Sequence, residues 1–216
     1  MSARKRVGIL ISGRGSNMQA LVEAAKAPDY PAEIVLVASN VPDAPGLAIA
    51  ASAGVPTFAL SHKGFASRES FDAALNERLD AAGLDLLCNA GFMRLHTRGF
   101  VEHWWNRHLN IHPSLLPAYK GLHTHERVIA AGETRSGCTV HFVRFEMDSG
   151  PIIDQAVVPV RPDDTADSLA ARVLEAEHLL YPFALRRVAS GEIWAQGDNI
   201  VANPALVPEK PPFQRP

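Results

Sequence analysis

The chain has 216 residues, 47% of them hydrophobic and 20% charged, which is long enough to bury a continuous core and short for two full domains. Its formal net charge of -2 puts no large single-sign field on the surface and argues against a nucleic-acid coat or a polybasic membrane anchor. The apolar stretch Val7 to Ile11 is too short for a secretory signal or a membrane span. The two cysteines, Cys88 and Cys138, stand too far apart for a CxxC pair, so both are expected to be reduced core residues of a cytoplasmic protein.

Val7 to Ile11 reads as a buried strand, followed by the loop Ser12-Gly-Arg-Gly-Ser-Asn17 and the helical spacing Met18, Leu21, Val22, Ala25. A second strand fits Glu33 to Ser39, a small-residue helix about Ala44 to Ala53, and a third short strand Pro56 to Leu60. An amphipathic helix places Phe71, Ala74, Leu75, Arg78, Leu79 and Ala82 on one face, stops at Gly83 and precedes the apolar strand Leu84 to Ala90. Strands alternating with helices predict an α/β, Rossmann-like fold, a mostly parallel twisted sheet flanked by helices. Past Phe92 the pattern changes to a short helix near Arg98 to Trp105 and a strand ending in Leu109-Asn-Ile-His-Pro113. Gly137 to Val143 and Ile152 to Val158, joined by turn-rich residues Arg144 to Pro151, predict an antiparallel hairpin. A long last helix fits Thr165 to Arg187, with Asp163 or Asp164 as its cap and a kink at Pro182. Residues 1–203 are expected to form a single domain and 204–216 a proline-rich tail, extended or disordered.

A glycine loop between a first strand and a first helix aims backbone N–H groups at whatever sits on the helix N-terminus, usually an anion. Gly13, Gly15, Ser16 and Asn17 are therefore candidate phosphate ligands. A dinucleotide fingerprint would need glycine where Met18 stands and an acidic residue where Ser39-Asn40 stands, so NAD is disfavoured. The loop also lacks the Gly-Lys-Ser/Thr of a P-loop nucleotidase.

In a strand, residues two apart point the same way, so Asn110 and His112 project from one face just before Pro113 ends the ladder. An amide N–H can hold a developing oxyanion and an imidazole can move a proton near neutral pH, a pairing that suits acyl transfer. Asp148, in the polar turn between two strands, is the candidate carboxylate that would favour the protonated imidazole. His123-Thr-His125 lacks the further ligands of a metal site, and Ser114 lies in no nucleophile elbow, so neither a metal nor a covalent acyl-enzyme is expected.

Ser12-Gly-x-Gly-Ser-Asn17, Ala90-Gly-Phe-Met-Arg94, Asn110-Ile-His-Pro-Ser-Leu-Leu-Pro117 and Gly121-Leu-His-Thr-His125 stand in this order, with Asp148-x-Gly-Pro151 and Glu177-His178 beyond. From about Val7 to Trp194 the chain resembles the folate-dependent formyltransferases. The glycine loop, the compact length and the Glu-His pair point to the phosphoribosylglycinamide formyltransferase branch.

That resemblance implies transfer of a formyl group from 10-formyltetrahydrofolate, a co-substrate, to the amine of glycinamide ribonucleotide in purine synthesis, with no metal. It implies that Gly15, Ser16 and Asn17 hold the substrate phosphate and Glu177 the ribose or glycinamide portion. The folate would lie against Met93, Arg94, Leu95, His96, Asn110, Arg68 and the loop Arg144, Phe145, Glu146, Met147, Asp148. Asn110 and protonated His112 would stabilise the oxyanion, His112 would help a proton reach the departing folate nitrogen, and Asp148 would keep His112 charged. The partners would be these two small molecules, not nucleic acid or membrane, and the chain would be a monomer or a homodimer. Arg14 stands where a small polar residue is common, and Leu174 where some members place a polar or basic phosphate contact. Three alternatives stay open: hydrolysis of the same donor, transfer to another amine, and a non-catalytic phosphate-binding module. The last leaves Asn110, His112 and Asp148 without a role.

Overall fold

In the computed structural model, which describes residues 3–216, the chain divides into two units, one ending at Asn110 and the other starting at Ile111. The first holds β1 (Lys5–Ile11), α1 (Ser16–Ala24), β2 (Ala32–Ser39), α2 (Pro45–Ser52), β3 (Thr57–Ala59), α3 (Arg68–Ala81), β4 (Leu86–Asn89), α4 (Arg98–His103) and most of β5 (His108–His112). Its strands lie in the order β3-β2-β1-β4-β5 with every pair parallel. Val7 to Ile11 and all of β4 are buried residue after residue, because helices on both faces of a parallel sheet leave no solvated side, and this is why these strands read as continuous apolar runs. Leu10, Leu87, Phe71, Leu75, Leu79, Phe100 and Trp104 form one core cluster, each large side chain contributing roughly 1.5–3 kcal/mol of burial. The Trp104 indole N–H is satisfied by the Asn76 side-chain oxygen at 2.8 Å.

The second unit holds α5 (Thr124–Ala130), β6 (Arg135–Phe142), β7 (Ile152–Pro159), α6 (Ala166–Ala189), β8 (Ile193–Gln196) and β9 (Asn199–Ala202). β6 and β7 pair antiparallel, as the turn chemistry between them predicts. The long last helix is present, but its cap is Thr165, not Asp163 or Asp164: Thr165 and Ser168 exchange side-chain-to-backbone hydrogen bonds as a capping box. Asp164 instead accepts from the Ser168 hydroxyl and pairs with Arg172. The helix runs through Pro182 without interruption.

Two elements have no counterpart in the sequence reading. α5 is preceded by His123 at its N-cap, which has a left-handed backbone and supplies no side-chain cap. β8 and β9 form a second hairpin closed by Gly197-Asp198. The last residues dock on the second unit: Phe213 meets Phe183 edge-on at 5.4 Å, Gln214 O accepts from Val157 N at 2.8 Å, and Arg215 pairs with Asp154. Both cysteines are free and buried. Among the described residues no helix is long and apolar enough to cross a membrane.

Candidate active site

β1 and β4 are neighbours whose connections run in opposite directions, from β1 to β2 and from β4 to β5, which makes their carboxyl ends a topological switch point. The glycine loop lies at this point. Gly15 takes φ +73°, and a Cβ on it would stand 3.0 Å from Met18 Cε and 3.3 Å from the Gly46 Cα. Gly46 is as tightly held: its N–H donates to the Gly13 carbonyl at 3.1 Å, and a Cβ there would meet Ile11 at 2.5 Å. Gly15 caps α1 with no side-chain hydrogen bond, so the first N–H groups of the helix, at Ser16 and Asn17, keep the geometry that binds anions. Ser12 ties the loop to its neighbours, its hydroxyl donating to Asn40 Oδ1 at 2.6 Å and accepting from Met93 N at 2.8 Å.

The segment after β4 carries residues expected to face the folate, Met93 to His96. Met93 and Leu95 are exposed, while the Arg94 guanidinium lies over the Phe71 ring at 5.1 Å. His96 is packed inward instead, stacked between Phe92 and Phe100 with its Nε2 at 3.4 Å from Asn89 Nδ2. Its Nδ1 stands 4.0 Å from Asp72, but burial pushes the imidazole down to about 3, so this is no ion pair near neutral pH. Arg68, first residue of α3, is exposed.

Proton-handling groups gather in the second unit. His112 ends β5 and is buried. Its Nε2–H donates to the Tyr119 carbonyl at 3.0 Å, and its Nδ1 faces Asp148 Oδ2 at 3.4 Å. Both groups facing the ring are acceptors, so a ring carrying both protons would have a partner for each. Asp148 adopts φ +52°, one of the strained non-glycine conformations that cluster at functional sites. Its Oδ2 also accepts from Gly121 N at 2.9 Å, and its Oδ1 lies 3.8 Å from His141 Nε2.

His141, which the sequence reading passed over, is a second imidazole on the same carboxylate. Burial pushes it down to about 4 against the pull of the Phe142 carbonyl and Asp148, with His112 and Lys120 charge adding to the fall. It is therefore neutral at pH 7, its Nδ1–H donating to the Phe142 carbonyl at 3.0 Å. His125 is lowered as well, chiefly by burial, opposed by Glu126 and assisted by His112. Its Nδ1 is buried with no hydrogen-bond partner among the described residues.

The structure thus joins His112 to Asp148, with Asn110 two residues earlier on β5. Phe145, Glu146 and Met147 are exposed beside Asp148 in sequence. Arg144 turns its guanidinium to the β8–β9 turn. Glu177 is buried on α6, and its charge adds to burial in raising the Cys138 thiol. Among the described residues no three His, Cys, Asp or Glu side chains cluster as metal ligands.

The formyl transferase family model matches residues 5–185. Phosphoribosylglycinamide formyltransferase of Escherichia coli is 44% identical over 199 residues, covering 89% of this chain and 94% of that protein. The trifunctional purine biosynthetic protein adenosine-3 of Drosophila melanogaster is 53% identical over 190 residues, which are 87% of this chain and only 14% of that protein. The chain thus spans about one-seventh of that larger relative. The solved glycinamide ribonucleotide transformylase 1 of Symbiobacterium toebii superposes with a TM-score of 0.90 at 43% identity, covering 94% of this chain and 95% of that one. By these matches the chain belongs to the formyl transferase family.

Proposed function

We propose that this chain transfers the formyl group of 10-formyltetrahydrofolate to the amine of glycinamide ribonucleotide. The observation that carries the reading is buried His112, held between Asp148 Oδ2 at 3.4 Å and the Tyr119 carbonyl at 3.0 Å. A fixed cation beside an amide side chain on β5 is suited to a developing oxyanion and to little else in a buried setting. Family membership supplies the substrate classes.

The neutral amine attacks the formyl carbon and the carbonyl electron pair moves to oxygen. Asn110 and His112 stabilise that charge. Collapse re-forms the carbonyl and breaks the bond to the folate nitrogen, which takes up a proton as the amine gives one up. His112 assists this proton movement, and no nucleophilic side chain is required. Asp148 holds the imidazolium in place, while neutral His141 shields the far carboxylate oxygen without competing for the charge.

Gly15, Ser16 and Asn17 hold the substrate phosphate and Glu177 its ribose or glycinamide portion. Met93, Arg94, Leu95, His96, Arg68 and the 144–148 loop serve the folate. Residues 1–203 act as one formyltransferase domain, in the cytoplasm, as monomer or homodimer. The test follows loss of the formyl group by absorbance with glycinamide ribonucleotide, with water alone, and with His112→Ala. Turnover that needs the ribonucleotide and is lost in the variant supports the reading. Formate release without an acceptor would assign a hydrolase instead, and no turnover in either case would leave a phosphate-binding module.

A further inference from the structure

The β6–β7 connection, residues 143–151, is folded back on itself. Asp148 sits at φ +52°, and a Cβ on Gly150 would collide with the Phe142 carbonyl oxygen at 1.7 Å. The connection begins at Arg144, whose side chain is only 8% exposed. The guanidinium spans three acceptors: Nη2–H donates to the Gly197 carbonyl at 2.7 Å, Nε–H to Asp198 Oδ1 at 3.3 Å, and Nη1–H to its own neighbour's carbonyl, Val143 O, at 3.1 Å. Gly197 and Asp198 are the two turn residues of the β8–β9 hairpin, Gly197 with φ +60°. That hairpin lies beyond residues 5–185, the span of the family model.

We propose that Arg144 is a positioning residue that clamps the Asp148-bearing loop to the β8–β9 turn and so sets affinity for the folate co-substrate without touching it. The inference rests on the reading of residues 144–148 as a folate wall. A planar guanidinium holding two carbonyls is a rigid link, and a lysine could reach only one of them. The Asp198 side chain is 85% exposed, so its ion pair adds little and the short charge-assisted bond to the Gly197 carbonyl at 2.7 Å carries the dock. With the guanidinium engaged there, Phe145 and Met147 remain as the exposed apolar surface of the loop, 49% and 51% accessible.

The test compares the full chain with Arg144→Met, which keeps the aliphatic stem, and Arg144→Lys, which keeps the charge. Hydrogen exchange of the unliganded protein reads the clamp directly. Exchange in residues 144–150 and 196–199 is expected to rise about tenfold in Arg144→Met, with Arg144→Lys intermediate and β5 unchanged. In turnover, the KM for 10-formyltetrahydrofolate is expected to rise about tenfold while the KM for the ribonucleotide stays level. Asp198→Asn is expected to change neither by more than about twofold. Unchanged exchange in both segments would overturn the proposal. So would a KM increase confined to polyglutamylated folate with exchange unaltered, because it would make Arg144 a direct folate contact. Faster local exchange in a protein that transfers no formyl group would support the clamp while refuting the functional reading.

Discussion

Asp148→Asn isolates the charge on the carboxylate from its shape. The asparagine oxygen can still accept from Gly121 N, now 2.9 Å from Asp148, so the left-handed turn keeps its backbone partner. That same oxygen faces His112 Nδ1 at 3.4 Å, and the amide nitrogen takes the place of Oδ1, 3.8 Å from His141 Nε2. His112 keeps an oxygen partner, but a neutral one in place of a charged one. At 3.4 Å and an effective dielectric of about 20, the attraction between the two charges is about 5 kcal/mol. His141 cannot replace the lost negative charge, because it is a neutral ring whose Nδ1–H is committed to the Phe142 carbonyl. If roughly 3 kcal/mol of that attraction is felt at the oxyanion, kcat falls more than about 100-fold. Ribonucleotide KM should hold, since neither group is assigned to the phosphate.

Steady-state turnover measures the loss, and a long-range nitrogen–proton NMR spectrum of the imidazoles reads the ring. Native His112 is expected to show both nitrogens protonated at pH 7 and the variant only one. A variant that turns over within about threefold of the native chain would refute the charge argument. So would a variant whose His112 remained doubly protonated, since another group would then be holding the cation.

The remaining predictions concern the frame around that pair. His96 is neutral in the fold down to about pH 3 but titrates near 6.5 when unfolded, so its contribution is level above pH 6.5 and is lost as the pH falls, because only the unfolded chain takes up the proton. Between pH 7 and 4.5 this amounts to about 2–3 kcal/mol, partly offset by Asp72, whose carboxyl burial raises; urea midpoints should show a shallower acid slope in His96→Phe, and an unchanged slope would contradict the assignment. Gly15→Ala forces a side chain into φ +73° and against Met18 and Gly46, and should cost about 1–2 kcal/mol by denaturant midpoint together with a raised ribonucleotide KM. Removing residues 208–216 deletes the Phe183–Phe213 contact, the Val157–Gln214 hydrogen bond and the Arg215–Asp154 pair. Tm should fall by about 3–6 °C with kcat unaltered, and an unchanged Tm would mean the tail binds too weakly to matter.

What could be read from residues alone follows the range of the forces involved. β1, β2, β4 and the β6–β7 hairpin were legible because burial on both faces writes an apolar run and a turn writes Asp-Ser-Gly-Pro. The cap of α6 was misplaced by a residue or two because Asp163, Asp164 and Thr165 are all good caps, and the choice was made by Ser168 completing a reciprocal pair with Thr165. The β8–β9 hairpin was legible in principle: Gly197-Asp198 between two short strands is a two-residue hairpin turn. α5 was not, since its N-cap is a histidine in a left-handed backbone whose side chain makes no capping bond.

The site divides along the same line. Asn110 and His112 share a face because strands alternate with period two, a rule that acts over two residues and needs no fold. Asp148 was legible only as a turn carboxylate; that it reaches His112 depends on a φ of +52° and on Gly121, 27 residues earlier in the chain, donating its N–H. His141 carried no local signal, because a histidine in an apolar strand reads as core, and it is core: burial is what makes it neutral. Yet that neutrality means His141 brings no second positive charge to Asp148, whose Oδ1 it faces at 3.8 Å. Had His141 been solvated and cationic, two imidazoles would have competed for one carboxylate. The residue that looks least functional in the sequence therefore leaves the carboxylate to His112.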